Sequence, residues 1–177
     1  MENTEILNKM MSLCDSIMKT HESVDGQVKE HQSDVSNRFT DWYNQFVSRY
    51  GAVLSKMWDM GRIAVDYVDR DSHRRIWRDW VVRFKVGNTE FAVTGNLKMT
   101  GTNCDMTFYR FVDGFSAGNC SVYYPLHNQL TLFQSELFGD FLDKVDFSHF
   151  DKAFTSQMTE LAKIISDNDA QRLSKIA

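Results

Sequence analysis

Proline is nearly absent from this chain of 177 residues: Pro125 is the only one. Long helices and strands can therefore run without the break that a missing amide donor imposes. Cysteine is scarce as well. Cys14, Cys104 and Cys120 form no C-x-x-C pair and are odd in number, which argues against a disulfide framework or a structural zinc site. Reduced core thiols are the expectation for Cys104 and Cys120. No apolar run approaches the roughly 18 residues that a membrane-spanning helix needs, so no membrane segment is expected. The opening Met1-Glu2-Asn3-Thr4-Glu5 lacks a basic region followed by an apolar one, and no signal peptide is expected. These features point to a protein made in a reducing compartment, either cytoplasmic or assembled into a particle made there. The Asn119-Cys120-Ser121 sequon is then a chance match.

Basic excess is missing too. Twenty Lys and Arg face 24 Asp and Glu, for a net charge of -4. That balance argues against a dedicated binder of nucleic acid or anionic membranes. There is no G-x-G-x-x-G, no Walker loop and no nucleophile elbow around Ser121 or Ser148. No catalytic residue is assigned, and no metal or cofactor is expected. Asp66, Asp69, Asp71 and His73 form the densest group of possible ligands, but their spacing matches no ligand scheme.

What is present is an apolar repeat. Ile6, Ile17, Val28, Phe39 and Tyr50 are spaced by 11 residues; within each step the spacing is 4-3-4 as far as Val28 and 3-4-4 from Val28 to Tyr50. The positions read Ile6, Met10, Leu13, Ile17, His21, Val24, Val28, His31, Val35, Phe39, Trp42, Phe46 and Tyr50. Eleven residues in three turns is about 3.67 per turn, so the stripe stays on one face of a nearly straight helix. A helix over 4–60 is expected, with Thr4 as its N-cap. Asp25-Gly26 is its weak point, but the stripe keeps its phase through Val24 and Val28, which favours one unbroken helix. From Ile6 to Met57 it would span roughly 78 Å, longer than a small domain can cover. Ile6, Met10, Leu13, Ile17, Val24, Val28 and Val35 are the expected surface for self-association or a protein partner. His21 and His31 would be polar layers that fix register.

The stripe becomes bulky from Phe39 to Met57, and a wide face suits packing on a sheet. Residues 1–35 therefore read as a helical extension suited to a coiled coil, and 36–177 as a globular domain. Period-two alternation predicts a short strand at 62–69 and clearer ones at Ile76–Val86, Thr89–Met99 and Cys104–Val112. Gly87-Asn88, Gly101-Thr102-Asn103 and Asp113-Gly114 are turn signals. A bulge is expected at Gly95, and a short last strand at Cys120–Tyr124. Two helices follow: Asn128–Lys144, and one capped by Ser148 that frays at Asp167-Asn168-Asp169. The fold class is α+β: a long N-terminal helix, an antiparallel meander of four or five strands, and two C-terminal helices packed on the sheet.

Three functional classes follow. The first is a non-enzymatic structural protein that assembles through its N-terminal helix, a layout that suits a component of a larger viral or phage particle. The second is a binding module for nucleic acid or an acidic partner. It would use Arg70, Arg74, Arg75, Trp77, Arg78, Arg83 and Lys85; residues 70–85 hold six Lys and Arg against two Asp, a local +4, with aromatic rings available for stacking. The third is a small enzyme with a pocket between sheet and helices.

Overall fold

The computed structural model describes residues 2–67, 79–98, 104–124, 126 and 130–177. It is an α+β fold. Helix α1 (Glu2–Tyr67) is followed by strands β1 (Asp79–Val86), β2 (Thr89–Asn96), β3 (Cys104–Val112) and β4 (Phe115–Tyr124). Helices α2 (Leu132–Lys144) and α3 (Phe147–Ser174) close the chain.

Helix α1 runs unbroken for 66 residues, roughly 99 Å at the α-helical rise. Gly26 does not interrupt it. Glu2 and Glu5 sit in its first turn, where the helix dipole favours negative charge. The helix therefore starts before Thr4, which is not its cap. It also passes through 62–67, where a strand was expected; residues 68 and 69 lie outside the described residues. The reason is that the buried row Met57, Gly61, Ala64 keeps helical spacing, and this outweighs the short alternation of Ile63, Val65 and Tyr67.

The sheet is an antiparallel meander in the order β1-β2-β3-β4. Val86 pairs Thr89, leaving Gly87-Asn88 as a two-residue loop with Gly87 at φ 63°. Val112 pairs Phe115, and Asp113 and Gly114 both take positive φ, 51° and 81°, as a tight type I′ hairpin requires. That turn zips β4 from Phe115 onward, so the strand starts five residues before the expected Cys120. Strand β1 starts at Asp79; residues 76–78 and the expected turn at 101–103 lie outside the described residues. Gly95 makes no bulge, since it pairs Trp80 and Met106 in continuous register. The irregularity falls instead between Tyr109 and Phe111 against β4.

One face of the sheet is apolar. Trp80, Val82, Phe84, Phe91, Val93, Met106, Phe108, Cys120 and Val122 are all buried, as alternation requires of a sheet covered on one side. Above them lies an aromatic layer from α1. Phe39 meets Phe108 at 5.9 Å and Phe46 meets Trp80 at 5.6 Å between ring centroids. Helix α2 begins at Leu132; Asn128, where a start was expected, lies outside the described residues. Thr131 caps it with a full capping box: its hydroxyl accepts from the Gln134 amide, and the Gln134 side chain accepts from the Thr131 amide. Asp146, not Ser148, caps α3 by accepting the Ser148 amide at 2.9 Å. Residues 167–169 stay helical, with half-buried Asn168 and Asp169.

Candidate docking surface on the N-terminal rod

Helices α2 and α3 lie one after the other along α1 and run in its direction. The ring contacts show the order: Phe138 on Phe39 at 4.9 Å, Phe141 on Trp42 at 5.3 Å, Phe150 on Phe46 at 5.4 Å and Phe154 on Tyr50 at 4.9 Å. Ion pairs fasten the edges. Arg38 meets Asp143 at 2.6 Å, and Arg49 grips Asp151 through Nε at 3.0 Å and Nη2 at 2.6 Å. The Tyr50 hydroxyl lies 2.8 Å from Asp151 Oδ1 and 2.9 Å from the Phe147 carbonyl. The hydrogen bonds from Arg49, then that from Tyr50, hold the Asp151 carboxyl below its ordinary value.

This filled row starts at Val35. Val35 is fully buried, and its Cγ2 lies 3.8 Å from where a side chain on Gly139 would begin. Gly139 is thus a point of helix contact. Just beyond, the Leu130 amide donates to Ser36 Oγ at 3.4 Å. Val35 accordingly belongs to the core and is not part of an open surface, a correction to its place in the association stripe. The stripe is continuous across this boundary, so spacing alone does not separate covered positions from open ones.

Before Val35 nothing among the described residues covers the stripe. Residues 2–27 are all exposed, and Val28 and Gln32 are half-buried. Ile6, Met10, Leu13, Ile17 and Val24 are between 51% and 62% exposed. At about 100° per residue, these five, Val28 and Val35 fall in a sector of roughly 60°. A second row joins them that the 4-3-4 pattern did not include. Leu7, Met11, Cys14 and Met18 are also exposed and widen the apolar face to roughly 160°. Their own spacing, offset by one residue from the first row, carries that signal in the sequence. The polar side holds Lys9, Asp15 and Lys19. Glu5–Lys9 and Asp25–Lys29 pair at 3.5 and 2.9 Å, solvent-exposed bridges between neighbouring turns of the helix. Leu132 and Phe133, 54% and 47% exposed, stand at the open head of the row.

Arg83 and Lys85 are exposed on the outer side of β1, where Arg83 meets Glu90 at 3.6 Å. Arg70, Arg74, Arg75, Trp77 and Arg78 lie outside the described residues, as do Asp69, Asp71 and His73. Among the described residues no group of three or more His, Cys, Asp or Glu could hold a metal. A groove of about 620 Å³ is lined by Asp79, Thr94, Asn96, Asp105, Gln157 and Glu160. It presents carboxylates, amides and the hydroxyls of Thr94 and Thr107. Burial raises the Cys120 thiol above its ordinary value, a setting for an inert thiol.

Among the described residues no helix is long and apolar enough to cross a membrane. No protein-family model matches the chain, and neither a curated protein nor a solved structure matches it.

Proposed function

We propose that this chain is a non-enzymatic assembly protein whose N-terminal rod is its docking element and whose sheet-and-helix body anchors that rod. One observation carries the reading. A single face of one helix is buried from Val35 onward and open from Ile6 to Val24, in the same phase. Folding usually hides such a face, and large exposed apolar patches mark interaction sites. A role as a component of a larger particle suits a rod of this length.

The test is light scattering on the full-length chain beside a Leu13→Glu, Ile17→Glu double variant. Both positions are exposed and remote from the body, so far-UV and near-UV circular dichroism should stay unchanged. The wild type is expected to associate as concentration rises, and the variant to remain monomeric. A variant that assembles like the wild type would overturn the assignment of the rod. A wild type that is monomeric throughout would remove self-association.

A further inference from the structure

We infer that the occupant of the open face is a second copy of this chain, lying antiparallel to the first about a twofold axis at Ile17. This rests on the docking role proposed above and specifies its partner and geometry.

The body decides the direction. From Val35 on, the face in question is filled by α2 and α3. A partner rod lying parallel on the open face would run straight into α2, and its own body would claim the same space. An antiparallel partner meets no such obstacle. Its N-terminus points toward the head of α2, and its body lies beyond the first chain's N-terminus. The partner's rod then continues the row that α2 and α3 already form.

The spacing of the stripe fits that symmetry. Ile6, Met10, Leu13, Ile17, His21, Val24 and Val28 are separated by 4, 3, 4, 4, 3 and 4 residues, which reads the same in either direction. An antiparallel pair centred on Ile17 sets Ile6 level with the partner's Val28 and Met10 level with the partner's Val24. Leu13 falls beside the partner's His21, and Ile17 beside the partner's Ile17. A patch that meets itself through such a twofold is the commonest way for two identical chains to associate. With this centre, the partner's Glu2 reaches the level of Gln32, beside the lip where Leu130 meets Ser36. Leu132, two residues beyond Leu130, is an exposed apolar group.

The area is sufficient. Eight apolar side chains, each more than half exposed between Ile6 and Val24, present on the order of 800 Å² per chain, one partner's share of a standard interface.

Oxidative cross-linking of full-length protein in a Cys14→Ser background tests the geometry. In the antiparallel pair the two copies of residue 6 lie roughly 33 Å apart along the rods, while a disulfide needs Cα atoms within about 7 Å. Ile17→Cys should cross-link to a dimer. Ile6→Cys alone and Val28→Cys alone should give less than about one tenth of that yield, and the two together should restore it. Efficient cross-linking by Ile6→Cys alone means parallel rods and overturns the inference. So does failure of Ile17→Cys in a chain whose association the Leu13→Glu, Ile17→Glu pair abolishes; docking through the rod then stands with another geometry. A wild type that is monomeric throughout ends both the inference and self-association.

Discussion

Gly95→Ala should destabilise the body by about 2 kcal/mol, within the range for overpacking a filled core. A Cβ at residue 95 would lie 2.5 Å from Trp80 Cζ2 and 2.7 Å from Cε2, where ordinary contact begins at 3.4 Å. The indole must therefore retreat by nearly 1 Å. It has nowhere to go. Trp80 is fully buried, and Phe46, Phe154 and Phe150 stand at 5.6, 5.4 and 6.3 Å on its other sides. Gly95 and Trp80 also face each other across β1 and β2, so neither strand can shift without breaking register. Urea unfolding followed by tryptophan fluorescence should show the midpoint lowered by roughly 1 M. A chain of this size should lose about 4–8 °C in melting temperature. The same substitution in a Trp80→Leu background should cost at least 1 kcal/mol less, approximately, because the clash is gone and directly touching residues couple. A Gly95→Ala protein within about 0.5 kcal/mol of wild type would show that the ring is not confined as described.

Gly26→Ala should stabilise the rod by about 0.8 kcal/mol, read from a thermal melt at the helical circular dichroism band; a Cβ there meets nothing within 4 Å. On the acid side, Asp151 is held below 3.8 by Arg49 first and Tyr50 second. Its contribution is therefore present above the ordinary carboxylate range and is lost as pH falls through the depressed value. Asp151→Asn should flatten the decline in melting temperature on the acid side of the ordinary carboxylate range, leaving the contributions of the similarly lowered Asp146 and Asp25. An unchanged acid limb would remove the Arg49–Asp151 pair from the stability of the α1–α3 contact.

The order of elements, the meander and the unbroken first helix were readable from periodicity, because each is a repeated local pattern with turn residues at its ends. What was not readable depended on residues distant in the chain. Ser116 to Asn119 looks like a loop because its residues are small or polar and include Gly118. It becomes strand because the Asp113-Gly114 turn places it beside β3. Gly95 reads as a bulge until Trp80, fifteen residues earlier, is known to cover it. Val35 shares the phase and chemistry of Ile6, Ile17 and Val24, and only Gly139, more than a hundred residues later, separates it from them. The apolar stripe itself was legible, whereas the point at which it becomes buried is set by where α2 begins.

The phase of the rod supplies a sharper test than any single side chain. Inserting one alanine between Lys19 and Thr20 keeps the helix and every apolar residue, yet rotates Ile6 to Ile17 by about 100° relative to Val24 and Val28. The two halves of the stripe would then face different directions, and the level pairs Ile6 with the partner's Val28 and Met10 with the partner's Val24 would both be lost. Inserting four alanines at the same place rotates the halves by only about 40° and lengthens the rod by one turn. The face stays continuous, and the twofold that keeps Ile6 level with the partner's Val28 moves to Lys19, beside the insertion. Association measured by light scattering should therefore weaken markedly with one alanine and largely survive with four. Both proteins should melt like the wild type, because the body begins at Val35. If the two insertions associate equally well, the apolar face acts as an unspecific greasy surface, and its symmetric spacing has no bearing on assembly.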